Sequence, residues 1–412
     1  MPTSNPVPAA RQIEIVLLFT AFIAATYGFG VYLFPAIVEP IRAELGFSYA
    51  ALATISGLVQ AGFMVTAIVA GVLTLRFGAM PLILGACLTC ALALLGLAFV
   101  GGIWSMGALL VLLGSCAVVV WVPMVEVSRA VIAPAHQGKA LGLMSSGTSY
   151  GVFVNSFLMV TVLPQFGWRW IWGVTGLAVL VLATVAVIRL RGPGLKSGRA
   201  TETGSQAEGV PTKTSVLSPV SGLLVGVMFL NGLACMPFQT YLSAYLQGEL
   251  ALPQAETALV WRLVGILGMI GGFAVGALAD KITVRRAMIL MQLVLAGACL
   301  ALISPQPMAG AAMRIAAAIG FGTAFAAIFG LVPAYVSLAF GKGQAAMVFS
   351  LTNIALGLGG IGGNLAGGLV KEVSGSFVGS YAAMAVAATV AAGLCLLLPV
   401  PGSRFSGLVD AA

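Results

Sequence analysis

The chain has 412 residues, 60% hydrophobic and 7% charged, with a mean hydropathy of +1.10 and a formal net charge of +8. Soluble domains carry about 25% charged residues, so a water-facing surface is excluded and a polytopic membrane protein is expected. Pro recurs inside the apolar runs and no strand-like polar/apolar alternation is present, which leaves helices rather than a barrel.

The first ten residues, MPTSNPVPAA, carry no charge. The apolar run after them is too long for a signal h-region, so it is expected to remain as the first helix. A helical crossing needs about 20 apolar residues. Six such runs lie at roughly 13–38, 49–75, 80–100, 103–132, 138–163 and 170–190. Six more lie at roughly 218–246, 254–279, 284–304, 309–338, 343–370 and 377–399. Between the two sets runs RLRGPGLKSGRATETGSQAEGVPTK, from Arg189 to Lys213. It has too little apolar surface to offset its ordering entropy and reads as a linker. The expected domains are an N-terminal six-helix bundle over 1–190, a linker over 191–217 and a C-terminal six-helix bundle over 218–412.

Lys and Arg set the orientation. With the N-terminus inside, 14 of the 19 fall on the cytoplasmic side; Arg42, Arg169, Arg262, Arg314 and Lys371 fall outside. The reading is a cytoplasmic (inner) membrane protein with both termini and the linker cytoplasmic. GWRWIW at 167–172 opens the sixth run at the outer face, where its three tryptophans suit an interfacial belt.

An internal repeat supports the same plan. Shifting the second half back by 205 residues sets Gly276 on Gly71 and Lys281 on Arg76. It also sets KGQAAMVFS (342–350) on QGKALGLMS (137–145). A shift of 210 sets VPAYVSLAF (332–340) on VPMVEVSRA (122–130). Two halves repeated in parallel are an arrangement of transporters.

With these loops, the chain resembles the major facilitator superfamily over nearly its whole length. The family's loop pattern is kept in GALADKITVRR (276–286) at Gly276, Asp280, Lys281, Arg285 and Arg286. Its counterpart GVLTLRFGAM (71–80) keeps Gly71, Arg76 and Gly78 and has Leu75 where the acid belongs. The resemblance implies an all-α membrane protein of 12 transmembrane helices in two pseudo-symmetric halves. It also implies a gating role for these loop residues, with Asp280 as a latch between helices. On the residues alone, an interfacial charge cluster that fixes topology is the alternative.

Glu126 is the acid lying within an apolar run, and Arg129 follows three residues on, on the same helix face. A protonatable pair and a self-neutralising pair near the cytoplasmic rim are both open. Arg262 lies about 27 Å along its helix from Asp280 at 1.5 Å per residue. Arg262 and Arg314 would then snorkel outward or attract an anion into the cavity. Tyr27, Tyr150, Asn231 and Asn353 are mid-depth polar groups, suited to substrate binding or to hydrogen bonds between helices. Gly268, Gly272 and Gly276, and the run GLGGIGGNLAGG (357–368), are expected at close helix contacts. The six cysteines all fall inside apolar runs and read as small buried side chains. His136 stands alone in a loop. No metal cluster, nucleotide loop or nucleophile–base set is present, so no cofactor, no metal and no enzymatic activity are expected.

The expected function is secondary transport of a small organic solute, driven by protons if Glu126 titrates in the cycle. The segment 27–48 looks like those of monocarboxylate and related organic-anion branches. A drug exporter of the same fold is the alternative, although GLMSSGTSYGVF (142–153) lacks the proline that such exporters often carry. A non-transporting scaffold or sensor would need an effector domain. Expected partners are the solute, protons and the lipid bilayer, with no nucleic acid, and the chain is expected to act as a monomer. A cysteine placed at Ser197 should be labelled by an impermeant maleimide only from the cytoplasmic side and one at Gln247 only from outside; the reverse pattern would overturn the orientation.

Overall fold

The computed structural model describes residues 8–132, 136–190, 218–304 and 310–400. The expected linker lies outside the described residues, and so does the side chain of Arg129. Among the described residues every regular element is a helix.

The first apolar run forms α1 (Ala9–Ile23), a π-helical segment (Ala24–Phe29), and the short helices α2 (Leu33–Ala36) and α3 (Val38–Leu45). Gly46, at φ 67°, ends α3 in the left-handed region that glycine adopts without strain. Ser48 caps α4 (Tyr49–Phe77) by accepting from the Ala51 amide at 3.2 Å. Then follow α5 (Ala79–Leu97), α6 (Ile103–Val131), α7 (Gln137–Ser145), α8 (Gly147–Thr161), α9 (Leu163–Phe166) and α10 (Trp168–Arg189). After the linker come α11 (Pro219–Ser243) with a second π segment (Ala244–Glu249), α12 (Gln254–Ile282), α13 (Val284–Leu302), α14 (Gly310–Ala339), α15 (Lys342–Ser374) and α16 (Val378–Leu397).

Eleven of these spans are long and apolar enough to cross a membrane unbroken. The expected fifth crossing is divided between α7 and α8 at Ser146, whose hydroxyl donates to the Leu143 carbonyl at 2.7 Å. Such local side-chain bonds compete with the helix ladder.

The repeat is written in the helix ends. A shift of 205 carries Tyr49–Phe77 onto Gln254–Ile282 and Ala79–Leu97 onto Val284–Leu302, with no residue left over at either end. The link residue repeats too: Gly78 has φ 83° and its equivalent Thr283 has φ 90°. A β-branched residue is strained there. Thr283 meets that strain with a cap, its hydroxyl accepting from the Arg286 amide at 3.4 Å. Pro123 in α6 and Pro333 in α14 repeat at a shift of 210.

By packing, the chain falls into two units. The first holds Met1–Gly204, Gln239–Met269 and Asn364–Phe377. The second holds Ser205–Phe238, Ile270–Gly363 and Val378–Ala412. So α11, α12 and α15 each give one end to the first unit.

Inside each unit, glycines let backbones touch. In the first, Gly28 meets Gly151 and Gly147 meets the Thr20 carbonyl. In the second, Gly359 lies on the Phe229 carbonyl, and a Cβ on Gly363 would sit 2.9 Å from the Leu233 carbonyl oxygen. The glycine run of α15 thus packs as expected. The α12 expectation needs correction. Gly276 has nothing within 4 Å of a modest added Cβ, and Gly272 only Ala326 O at 3.8 Å. The close approach is instead at Gly271, 2.9 Å from the Thr323 Cα, and at Gly265, 2.9 Å from the Phe153 amide nitrogen. The tryptophan belt also needs correction: Trp168 and Trp172 are buried, and Trp170 alone of the three is exposed. All six cysteines are free and buried.

Overpacking a tight contact costs about 1–3 kcal/mol. Gly359→Ala should therefore lower the thermal stability of the purified protein measurably, while Gly276→Ala leaves it unchanged. Equal melting temperatures for the two variants would contradict the packing described.

Candidate functional site

Within the first unit, residues from before and after the linker meet at two places. The first is around α8. The π segment of the first span widens its turn, a distortion frequent at functional sites. Asn155 Nδ2 donates to the Gly28 carbonyl there at 2.8 Å. Asn155 is 1% exposed, and its Oδ1 has no partner among the described residues. Tyr27, in the same segment, sets its ring edge-on to Phe63 at 6.2 Å.

The next two residues of α8 face α12. Arg262 Nε donates to Ser156 Oγ at 3.3 Å, and its guanidinium lies 4.3 Å over the Phe157 ring. Ser156 Oγ in turn donates to the Phe153 carbonyl at 2.6 Å. Gly265, one turn from Arg262, brings α12 against Phe153. No carboxylate pairs with Arg262 among the described residues, and its two terminal nitrogens make no hydrogen bond there. The side chain is half-buried. A planar cation held by its Nε edge and one face offers the other edge to a carboxylate in two-point fashion.

The second place is the face bearing α3, which the charge count assigns to the outside. Ion pairs here stay within each half. Arg42 pairs with Glu39 at 3.0 Å, Arg169 pairs with Glu44, and Lys371 pairs with Glu249 at 2.8 Å. The hydrogen bond from Arg169, and then that from Trp168 Nε1, hold the Glu44 carboxyl below the usual carboxylate range. Contacts that join the halves are mostly uncharged. Ser243 Oγ donates to the Ala36 carbonyl at 2.8 Å and accepts from Trp261 Nε1 at 2.8 Å. Tyr49 sets its ring edge-on to Phe377 at 5.1 Å. A Cβ on Gly248 would lie 2.5 Å from Tyr49 Oη. Two charged groups of α15 also reach across: Glu372 Oε1 accepts from the Ala50 amide at 2.9 Å, and Lys371 Nζ lies 5.6 Å from the Tyr49 ring centroid.

Other expected site residues lie apart from these places. Asn231 is fully buried in the second unit, where its Oδ1 accepts from Gln292 Nε2 at 3.4 Å and Cys235 Sγ at 3.3 Å. Its Nδ2 is without a partner among the described residues. That placement matches a bond between helices. Arg314 is buried, 9% exposed, and is not a free charge. Tyr150 and Asn353 are exposed, with Asn353 Nδ2 donating to Phe349 O of its own helix at 2.8 Å. Glu126 is exposed on α6. A groove of about 330 Å³ lined by Glu14, Leu17, Leu18, Val185 and Arg189 has its charges engaged, since Glu14 pairs with Arg11 at 2.7 Å and Arg189 at 3.6 Å.

The family model described as Major Facilitator Superfamily matches residues 18–364. The chain belongs to the major facilitator superfamily. A curated MFS-type transporter of Aspergillus fumigatus is 28% identical over 235 residues, 53% of this chain and 53% of the relative. The match thus spans about half the relative's length. Among solved structures, a bacterial homologue of the human lysosomal transporter Spinster, inward-facing and unoccupied, superposes with a TM-score of 0.68 at 14% identity. It covers 95% of this chain and 96% of that one. The nucleoside transporter NupG superposes at 0.69 and 13% identity, covering 93% and 98%. At such identities these likenesses show the fold alone. The chain is a multi-pass membrane protein of a transporter family, not an enzyme.

In this major facilitator the loop residues stand as follows. Gly71, Arg76, Asp280, Lys281 and Arg286 are exposed, and Gly276 is half-buried. Arg76 lies 5.5 Å from the Phe77 ring centroid. Arg285 donates to the Leu398 carbonyl at 2.9 Å, tying the loop to the end of α16. Asp280 makes no ion pair among the described residues. Ser156, Phe157 and Glu372 escaped the reading of the sequence. Ser156 and Phe157 are unremarkable residue types in an apolar run; Glu372 sat beside Lys371 as an ordinary rim charge.

Proposed function

We propose that this chain is a secondary transporter that carries a small organic anion, a carboxylate, by alternating access across the cytoplasmic membrane. The observation that carries the reading is Arg262: among the described residues, a cation with no acidic partner, stacked on Phe157, held by Ser156, with its terminal nitrogens unengaged. A cationic drug would be repelled there, which weighs against the exporter alternative. Phe153 and Phe157, edge-to-face at 5.0 Å, supply an apolar wall beside the charge. Coupling to protons is assigned to Glu126, the one carboxylate of α6, with Asp280 as a latch between helices.

The test is uptake into proteoliposomes under an imposed pH gradient, with a panel of labelled carboxylates. Charge-assisted hydrogen bonds contribute about 1.5–3 kcal/mol, so Arg262→Gln should raise KM roughly 10- to 100-fold at similar protein recovery. Arg262→Lys should fall between, having charge without the fork. Glu126→Gln should abolish uphill uptake and retain counterflow exchange, which needs no net proton movement. Cationic compounds transported in place of carboxylates would overturn the substrate class; full uphill uptake in well-recovered Glu126→Gln would overturn the coupling.

A further inference from the structure

The α3 face is closed by few contacts, and they differ in kind. Its ion pairs, Glu39–Arg42, Glu44–Arg169 and Glu249–Lys371, each join residues on the same side of the linker. The first two travel with their half; Lys371 of the third also lies 5.6 Å from the Tyr49 ring centroid, a weak contact across the linker halves. The carboxylate of Glu372 crosses as well, and by a hydrogen bond: its Oε1 accepts from the Ala50 amide at 2.9 Å.

The geometry around it is built. α15 reaches α4 because Gly368, one turn before Glu372, has no side chain; a Cβ there would lie 2.5 Å from the Ala53 Cβ and 3.1 Å from the Tyr49 carbonyl oxygen. Residues four apart lie on one face of a helix, so the turn that touches α4 also delivers Glu372 to its first turn. The N-terminus of α4 offers unpaired amides and a positive dipole end. Ser48 serves the Ala51 amide and Glu372 serves the one before it. The neighbouring Lys371 donates to Glu249, which also accepts from Ser376 Oγ at 2.5 Å and the Phe377 amide at 2.8 Å. That anchoring keeps the end of α15 from swinging free of α11, so Glu372 is presented by a fixed support.

We propose that Glu372 is a positioning residue of the transport cycle: by docking its carboxylate on the first turn of α4 it sets how much of the time the α3 face stays closed. When that face opens, α15 leaves α4 and the Ala50 amide passes to water. The inference rests on alternating access, and it is independent of which solute is carried.

The test uses a reporter already buried between the halves. Ser243 is fully buried, with its hydroxyl on the Ala36 carbonyl. Ser243→Cys in the full chain, in membrane vesicles, is exposed to an impermeant maleimide on the α3 face without added solute. The unaltered chain, whose cysteines are buried, gives the background. A carboxylate at a helix N-terminus favours its docked state by about two- to five-fold in population. Adding Glu372→Gln or Glu372→Ala should therefore raise the labelling rate about two- to five-fold, with less effect at high salt in the parent than at low. Adding Glu44→Gln, which breaks a pair internal to the first half, should leave the rate unchanged. Equal rates with and without Glu372 would overturn the proposal, as would an equal rise with Glu44→Gln, which would mark a general loosening. No labelling in any variant would overturn alternating access at this face and the proposal with it. Because Glu372 is exposed, its variants are expected to fold; the charge-only change to Gln decides if Ala accumulates poorly.

Discussion

The hydrocarbon core of a membrane offers no water to a backbone amide, so backbone hydrogen bonds must close within each helix. Everything else about this chain follows from how helices that have already satisfied themselves then recognise one another. Burial of apolar area discriminates little there, since lipid is as apolar as leucine. Recognition is left to shape and to a few polar bonds. Gly28 against Gly151, Gly359 against Phe229 and Gly271 against Thr323 supply the shape. Asn155 on the Gly28 carbonyl and Gln292 on Asn231 supply bonds inside the units.

The same economy bears on the proposed transport cycle. Contacts inside a half are close and numerous: backbone on backbone at glycine, aromatic on aromatic, as where Phe238 stacks on Phe321 at 4.0 Å. Contacts across the α3 face are short-range and easily replaced by water, a serine on a carbonyl, a tyrosine edge on a phenylalanine, one glutamate on an amide. The pairs Glu39–Arg42, Glu44–Arg169 and Glu249–Lys371 each lie within one half, so separation breaks none of the three. Arg262 is the departure from this rule. Among the described residues it has no acidic partner where α12 meets α8, and a half-buried cation there is answered by a solute or by water.

Much of this was legible in the sequence, and the reason for the remainder is physical. The twelve runs and the repeat at 205 residues were readable because length and local composition are set residue by residue; the left-handed link at Thr283 was not, since a threonine announces no such backbone. Nor was rotation about each helix axis. A helix that is apolar all round carries no amphipathic phase, so nothing distinguished Gly265 and Gly271 from Gly272 and Gly276 as the contact face of α12. The same gap placed Trp168 and Trp172 at an interface when both are core. Arg262 was legible as a deep cation, but its Ser156 and Phe157 partners lie 106 and 105 residues away in sequence. Asn231 was legible as a mid-depth amide and not as the partner of Gln292.

In the proposed transport cycle the α3 face closes and opens while the halves stay folded. Spin labels at Ala43 on α3 and Ala255 on α12, both exposed, measure the distance across it by double electron–electron resonance. Two distance populations are expected in lipid, one short and one long, whose ratio shifts when a transported carboxylate is added. A single distance that no solute or pH changes would contradict it.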